Sequence, residues 1–348
     1  MKKKFKISFV LLIAMLIALT GCGAKENKGA STVTAPTAAS NTPSEKTADA
    51  KPSNQPLQEL TLATIGDTAV SGPIYYALDK DIFGKHGLKV TRKTLDPSAA
   101  VAALISGDIQ IVAGGGPGVV DAAIKTDNVK VIGTHGQIAM WLYAKNITKL
   151  EELKGKTIGA TTAGGAIDNV TKTLIRSIGM KQGKDVNILY AGTPPAIIAT
   201  MSEGKIEAGV IDLPARVNAD QMGLKKVAYL NDLKGILGLY GVMGVNQPFA
   251  TKNQKVIVNY MKAFSEASKL MKTDKEGAKA AISKFTRLTD DKVLEEIYAA
   301  HKNLFPTDLH IPDSEVQYIL DELSLKNPSA KMKKPADVID NRYADAVK

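Results

Sequence analysis

Strand-like and helix-like patterns of apolar residues alternate from residue 60 onwards and mark the folded part of the chain. Residues 60–65 (LTLATI) alternate between apolar and polar positions as a half-buried strand does, and the apolar positions of residues 73–87 recur at helical spacing. Further strand patterns, separated by helix patterns, lie at 88–95, 109–116 and 129–134. Strands separated by helices of this length predict parallel β-α-β units, with a sheet covered on both faces.

An internal similarity predicts two α/β lobes. Residues 100–123 and 196–219 each read as an apolar helix, a turn with Ser and Gly, a short strand, a loop with proline and a second helix. The extended apolar segments 139–145 and 241–246 bracket the second of these regions, and we interpret them as a two-stranded crossover between the lobes. The predicted domains are therefore lobe 1, residues 58–142 and 246–348, and lobe 2, residues 143–245. The tail beyond Lys252 is mostly helical by its pattern.

The N-terminus carries an export signal. Four lysines in residues 1–6 precede an uncharged apolar run at 7–19, which is shorter than the roughly 20 residues of a membrane-spanning helix. The pattern indicates a secretory signal peptide over residues 1–21. The only cysteine, Cys22, follows directly, and its context LTGC resembles the lipobox of bacterial lipoproteins. That resemblance implies lipid attachment at Cys22 and an exported protein anchored at the outer face of the cell membrane.

Residues 22–57 have the composition of a tether. They are rich in Ala, Ser, Thr, Pro, Asn and Lys and contain almost no large apolar residues. Such a segment cannot bury enough apolar surface to fold, so we predict a disordered linker. As a flexible coil it would hold the folded body roughly 30 Å from the membrane.

Composition narrows the classes of function. The chain has 348 residues, of which 44% are hydrophobic and 23% charged, as in a globular protein of one large or two medium domains. The formal net charge is +10, but four of the lysines belong to the predicted signal peptide. No basic run interleaved with aromatic residues remains, so we expect no nucleic-acid partner. We also expect the protein to act as a monomer.

The histidines offer little catalytic chemistry. His86, His301 and His310 fall on a helix end, a helical stripe and a proline-flanked loop, without the spacing of a metal site. His135 follows a strand end and is placed to face a cleft, but no nucleophile partner is evident beside it. We predict no enzyme activity, no metal and no cofactor, although an exported enzyme with His135 as its base stays open.

Four strand-to-helix turns rich in glycine, proline and small hydroxyl residues form the candidate binding site. In one of them, residues 159–165 approach the spacing of a phosphate-binding loop, but its lysine is missing, which argues against a nucleotide. In a parallel sheet such turns gather outside the carboxyl ends of the strands. There, backbone N–H groups and helix N-termini hold small polar or anionic groups. The turns are residues 66–72, 114–117, 161–165 and 193–195.

Other side chains near these turns are weaker candidates. Tyr75 and Tyr76 begin the first helix pattern, and one of the two is placed to point inward over a ligand. Gln137 and Trp141 lie near the predicted crossover, and their side chains would either line the cleft or pack in the core. Arg216 follows a strand end in lobe 2, where it would pair either with a ligand's carboxylate or sulfonate or in an ordinary salt bridge.

Longer stretches carry a family resemblance. They are PIYYALDKDIFGKHGLKV, AALISGDIQIVAGGGP, ITKLEELKGKTIGATTAGG, EGKIEAGVIDLPA and AKMKKPADVIDNRYADAV, and they span essentially the whole body. These stretches resemble the substrate-binding lipoproteins of ABC importers in the nitrate, sulfonate and taurine branch, which shares a fold with thiamine-precursor binding proteins. The resemblance implies a type 2 periplasmic-binding fold, with two Rossmann-like α/β lobes joined by a two-strand hinge and a helical C-terminal tail.

The resemblance also implies a function and a set of site residues. We expect an extracytoplasmic solute-binding lipoprotein that captures a small, anionic solute such as a sulfonate, nitrate or taurine and delivers it to an ABC permease. Binding of a thiamine-precursor pyrimidine or another heterocycle by the same fold is the alternative. The candidate ligand-binding residues are Gly66, Thr68, Ser71, Tyr75, Gly115, Gly116, Gln137, Thr161, Thr162, Gly164, Gly165 and Asp212.

Overall fold

The structure is a computed structural model, and it describes residues 56–163, 165–213, 215–233, 241–325 and 327–348. The predicted signal peptide, Cys22 and the tether up to residue 55 therefore lie outside the described residues, as does Gly164. None of the helices in the described ranges is long and apolar enough to cross a membrane.

Ten strands and fourteen α-helices make up the described body. The strands are β1 Gln58–Ile65, β2 Leu88–Leu95, β3 Ile111–Ala113, β4 Val129–Thr134, β5 Met140–Ala144, β6 Thr157–Ala160, β7 Asn187–Tyr190, β8 Ala208–Asp212, β9 Lys225–Tyr229 and β10 Val242–Asn246. The helices are α1 Gly72–Asp79, α2 Ile82–Lys85, α3 Pro97–Ser106, α4 Gly116–Lys125, α5 Ala166–Ser177, α6 Pro194–Ser202, α7 Ala215–Gln221, α8 Gln247–Lys252, α9 Gln254–Met271, α10 Lys275–Thr286, α11 Asp291–His301, α12 Asp313–Ser324, α13 Pro335–Val338 and α14 Arg342–Asp345.

The strands form two five-stranded sheets with the same internal plan. The first has the order β2-β1-β3-β10-β4 and the second has the order β7-β6-β8-β5-β9. In each sheet three neighbouring strands run parallel, and the fourth is antiparallel to both of its neighbours. The repeated units α3-β3-α4 and α6-β8-α7 occupy matching places in the two sheets, which confirms the prediction of two similar α/β lobes.

The crossings between the sheets differ in detail from the prediction. The chain crosses from β4 to β5 and again from β9 to β10, and the backbone N–H of His135 in the first crossing donates to the carbonyl of Gly241 in the second. The segments 139–145 and 241–246 do not pair with each other, because β5 and β10 are inner strands of different sheets. β10 belongs to the first sheet, although the predicted boundary at residue 245 assigned most of it to lobe 2. The domain boundaries otherwise stay a prediction.

Alternation along β1 places apolar residues on both faces of the first sheet. Leu62 packs in one core with helices α1, α9 and α10, whereas Ala63 packs in another with α3, α4 and α12. Each fully buried side chain of the size of Phe264 stabilises the fold by roughly 1.5–3 kcal/mol. A third core fills the second sheet and its helices. The helical tail predicted beyond Lys252 is confirmed, and α9 packs directly on α1.

One helix pattern is interrupted. Residues 73–87 form two helices, α1 and α2, because Asp81 adopts a left-handed backbone with φ of 53°. Asp is among the residues that accept this conformation most readily. The side chain of Asp81 lies over Gly84, where a side chain would collide with the Asp81 carboxylate.

Candidate ligand-binding cleft

A cavity of about 750 Å³ lies between the two sheets. Its walls are formed where parallel strands end: β1 and β3 in the first sheet, and β6 and β8 in the second. This is the edge of an open α/β sheet where ligands generally bind. Its volume lies within the range typical of small-molecule sites.

Four helix N-termini open on this cavity. The first turns of α3 and α4 come from the first sheet, and those of α5 and α6 come from the second. In the described structure, the N-cap residues of α3, α4 and α5 make no side-chain capping hydrogen bond. The first N–H groups of a helix lack intrahelical partners and lie at the positive end of the helix dipole. α6 offers no free N–H in its first turn, because it begins with Pro194 and Pro195 and the Ala196 N–H donates to the Thr193 hydroxyl. The cleft thus combines hydrogen-bond donors from α3, α4 and α5 with positive partial charge from both lobes.

Apolar side chains form much of the remaining wall. Val70, Val101 and Ile105 contribute from the first lobe, and Met140 and Ile167 contribute from the second. Burying an apolar group stabilises a complex by about 25 cal/mol per Å² removed from water. The wall therefore suits an organic solute with an apolar body better than a small inorganic ion.

Two carboxylates also face the cavity. Asp121 on α4 is paired with Lys125, whose Nζ lies 2.5 Å from its Oδ2, and it accepts a hydrogen bond from the Asn327 amide at 3.2 Å. Asp212 ends β8 on the opposite wall, and burial raises the pKa of its carboxyl to about 6. Asp212 consequently remains mostly ionised at neutral pH, and it can accept a hydrogen bond from a ligand's donor group.

His135 lies in the cavity wall with its side chain fully buried. Neither ring nitrogen has a hydrogen-bond partner among the described residues. Burial lowers the pKa of His135 to about 4, so its imidazole is neutral at pH 7. A general base works best with a pKa near the operating pH, and this imidazole is too weakly basic for that task.

A family model supplies the classification. The model described as NMT1/THI5 like matches residues 68–278, more than half of the chain. The chain belongs to the NMT1/THI5-like family. No curated protein sequence matches it.

Solved structures agree on the fold of this NMT1/THI5-like protein. The periplasmic aliphatic sulphonate-binding protein SsuA from Escherichia coli is 20% identical, with a TM-score of 0.64 over 82% of this chain and 91% of that one. The periplasmic nitrate-binding protein NrtA from Synechocystis PCC 6803 is 13% identical, with a TM-score of 0.62 over 83% and 88%. The ligand-binding component of an ABC-type import system from Staphylococcus aureus is 15% identical, with a TM-score of 0.63 over 84% and 99%. The NMT1/THI5-like chain has the periplasmic-binding fold of these three proteins.

Most of the predicted site residues of the NMT1/THI5-like protein converge on the cavity. They come from four separate turns of the chain, and the fold brings them together at one edge of each sheet. The predicted residues that line the cavity are Thr68, Ser71, Gly115, Gly116, Thr161, Gly165 and Asp212. Their contact with a ligand stays a prediction.

Four other predicted residues do not line the cavity: Gly66, Tyr75, Gln137 and Thr162. Tyr75 is fully buried inside the first lobe, where its ring stacks on that of Phe285 with a centroid distance of 4.8 Å. Tyr75 therefore does not face the cavity in this structure, and its contact with a ligand stays a prediction. The Gln137 Oε1 lies 3.4 Å from the amide nitrogen of Asn231, on the second lobe's side of the crossing. Thr162 is exposed in its turn.

Several lining residues were not predicted. Ser98 lies in the first turn of α3, and Asn169 lies one turn into α5. Ile138 and Met140 line the floor beside the first crossing. A helix start that faces a cleft exposes residues at its first and fourth positions, so the helical period offers a signal for Asn169. The sequence holds no such signal for Ile138 and Met140, because their exposure depends on where the two sheets meet.

Proposed function

We propose that this protein is the extracytoplasmic solute-binding component of an ABC importer, which captures a small solute and delivers it to a membrane permease. The observation that carries the proposal is the convergence of four helix N-termini, two from each sheet, on one cavity. Membership of the NMT1/THI5-like family and the fold of the import proteins support this role.

Binding would be coupled to a movement of the lobes. A solute that contacts α3 and α4 together with α5 and α6 favours the arrangement in which the two helix pairs lie close to each other. A solute can shift the equilibrium between lobe arrangements only if it makes more contacts in one of them. The two crossings that touch at His135 and Gly241 are the segments about which the lobes would turn. Gly136, with φ of 126°, adopts a backbone there that other residues rarely take.

Two classes of solute compete for this cleft. The helix N-termini favour an anionic group, such as the sulfonate of an organic sulfonate, or nitrate or taurine. The Asp212 carboxylate instead favours a solute with hydrogen-bond donors, such as an amino-substituted pyrimidine or another heterocycle. The apolar wall favours an organic body in either case.

Magnitudes favour the heterocycle. An anion about 5 Å from ionised Asp212 would be repelled by about 3 kcal/mol at an effective dielectric constant of about 20. Each helix N-terminus with free N–H groups returns about 0.3–1 kcal/mol to an anion, so those of α3, α4 and α5 together at most offset that repulsion. A neutral solute with both donors and acceptors avoids the repulsion and still binds the N–H groups. We therefore favour a neutral, donor-bearing heterocycle over a sulfonate.

A thermal-shift panel tests the receptor function. It should contain alkanesulfonates, nitrate, taurine, aminopyrimidines and other nitrogen heterocycles, with mass spectrometry of ligand carried through purification. At a hundredfold excess over Kd, a true ligand stabilises the fold by about 2.7 kcal/mol, which raises Tm by several degrees. The proposal fails if no compound shifts Tm and the purified protein carries no solute.

Asp212→Asn separates the two ligand classes. A hydrogen bond to a charged group contributes about 1.5–3 kcal/mol, so the variant should bind a donor-bearing heterocycle about tenfold more weakly or worse. The same variant should bind an anionic solute more tightly, because the repulsion is removed. Calorimetric titration of the wild type and the Asp212→Asn variant with anionic solutes and with heterocycles shows whether the affinity for each class rises or falls.

A matched pair of variants tests the cavity itself. Ala166 lies at the cavity wall in the first turn of α5, whereas Ala163 is exposed in the same loop and does not line the cavity. Ala166→Trp should fill the cleft and abolish the ligand-induced shift in Tm. Ala163→Trp should leave that shift intact, which controls for the effect of an added indole on the loop.

The anchoring part of the proposal rests on Cys22. We propose that the mature chain begins there and carries a lipid, so that the body stays near its permease at the outer face of the membrane. Mass spectrometry of the mature N-terminus should find an acylated Cys22, and Cys22→Ser should move the protein from the membrane fraction to the soluble one. Retention of Cys22→Ser in the membrane would contradict lipid anchoring.

A further inference from the structure

An ion pair outside the cleft joins the two lobes. Arg216 on α7 belongs to the second lobe, and its Nη2 lies 2.8 Å from Oε2 of Glu296 on α11. α11 belongs to the first lobe, because its residues Leu294 and Ile297 pack in the core of α1, α9 and α10. The pair thus bridges the lobes beside Ala300 and Leu304, whose side chains pack against the core of the second lobe.

The arginine is held from several directions. Its guanidinium carbon lies 5.1 Å from the centre of the Trp141 ring, and its Nε lies 3.4 Å from Oδ2 of Asp220. Tyr143 in turn donates a hydrogen bond to Asp220 at 2.6 Å. A planar guanidinium that stacks on an aromatic ring and pairs with carboxylates is better positioned than a flexible surface lysine. Contacts within the second lobe therefore help to orient the Arg216 guanidinium towards Glu296.

Arg216 lies on a segment that also reaches the ligand cleft, and Glu296 lies on a helix after which the chain packs against the first crossing. Arg216 lies four residues after Asp212, which lines the cavity, and Trp141 directly follows the cavity residue Met140. On the other side, the chain after α11 packs against the first crossing, where a side chain at Gly136 would meet the Leu304 carbonyl oxygen at 3.4 Å. A change in the separation of the lobes must therefore change the Arg216–Glu296 distance.

The surroundings of the pair leave room for it to open. A second cavity of about 550 Å³ lies beside it, lined by residues of both lobes that include Lys226, Tyr229 and Asn303. The side chains of Arg216 and Glu296 are 27% and 39% exposed, so water can reach and solvate both groups when they separate. An ion pair of this kind can form and break without burying an unpaired charge.

We propose that Arg216 and Glu296 form a latch that favours the ligand-gripping separation of the lobes and so raises the affinity of the cleft. The proposal rests on the solute-binding function proposed above, and it assigns positioning roles to two residues that do not touch the ligand. Partly exposed ion pairs contribute modestly, and the stacking of Arg216 on Trp141 lies within the second lobe, so it does not add to the contact between the lobes. We therefore expect loss of the latch to weaken solute binding by about two- to fivefold.

Glu296→Gln tests the latch, and the neighbouring Glu295→Gln is its matched control. Glu295 lies on the same helix, but its Oε1 pairs with Lys275 at 2.5 Å within the first lobe. The separation of the lobes is measured between two spin labels, attached at Lys184→Cys and Lys255→Cys in a Cys22→Ser background. Both positions are exposed, and they lie on different lobes. Pulsed dipolar spectroscopy of the ligand-free protein should show a longer and broader distance for Glu296→Gln, and the wild-type distance for Glu295→Gln.

This readout needs no ligand, so it can fail independently of the proposed function. The latch is refuted if Glu296→Gln gives the same distances as Glu295→Gln, or shorter distances than the wild type. Once a solute is known, a double-mutant cycle with Arg216→Gln and Glu296→Gln should show that the double variant binds no more weakly than either single variant. Additive losses would overturn the proposal, because they would mean that the two residues act separately.

Discussion

Two buried histidines should make this protein lose stability in mild acid. His135 lies in the cleft wall and His301 ends α11, and their exposed fractions are 0% and 3%. Burial lowers the pKa of each from 6.5 to about 4, although the contact of the His301 Nδ1 with the Ile297 carbonyl opposes the shift. The unfolded chain takes up these protons near pH 6.5, whereas the folded chain takes them up only near pH 4. Stability is therefore fully present above pH 6.5 and is lost as the pH falls towards 4.

The size of the effect follows from the two pKa values. Between pH 7 and pH 4.5 each histidine lowers the free energy of unfolding by roughly 2–3 kcal/mol, and the two together lower it by roughly 5 kcal/mol. Asp212 acts in the opposite direction, because its folded pKa of about 6 exceeds its ordinary value of 3.8. The informative quantity is therefore the difference between the profiles of the wild type and the histidine variants.

Urea denaturation from pH 7 to pH 4.5 measures that difference. His135→Gln and His301→Gln should each remove about half of the histidine-dependent loss, and the double variant should remove nearly all of it. Ile297→Val is the control: it should lower stability by about 0.5–1.5 kcal/mol at every pH and leave the slope unchanged. If the double variant keeps the wild-type slope, the histidines are protonated in the folded state, and the reasoning from burial is refuted.

Two further predictions concern backbone contact and ligand contact. Gly241→Ala should destabilise the fold by about 3 kcal/mol or more, because a Cβ there would collide with the Gly136 carbonyl of the other crossing. The control is Gly118→Ala, because a Cβ at Gly118 would meet only a Val101 methyl group at 3.6 Å. Circular dichroism and thermal melting should show that this control folds normally. Thr161→Ala should weaken solute binding severalfold, as measured by calorimetry. Thr162→Ala should leave solute binding unchanged, because Thr162 lies outside the cavity wall. Equal effects of the two variants would contradict the assignment of Thr161 to the wall.

Local patterns in the sequence determined most of the elements and the position of the cleft. The strand patterns at 88–95 and 129–134 coincide with β2 and β4, since alternation records which side of a strand is buried. The similarity of 100–123 to 196–219 predicted the matching plans of the two sheets. Glycine and small hydroxyl residues marked the turns that line the cavity, because tight turns with free N–H groups require such residues.

Contacts between distant residues decided the rest. Thr68 and Tyr75 lie seven residues apart and were both predicted to bind the ligand, yet Thr68 lines the cavity while Tyr75 stacks on Phe285, more than two hundred residues away. β5 and β10 are equally apolar, and only strand pairing assigned them to different sheets. Apolar periodicity specifies which face of an element is buried, but not which partner buries it.

Charged residues show the same limit. The sequence left open whether Arg216 meets a ligand or a carboxylate, and the fold brings it to Glu296, eighty residues along the chain. Its partner depends on the packing of α11 against the second lobe, which no local pattern encodes. The sequence by itself thus determined two lobes with donor-rich turns, whereas the tertiary structure alone decided which side chains face the cleft and which hold the lobes together.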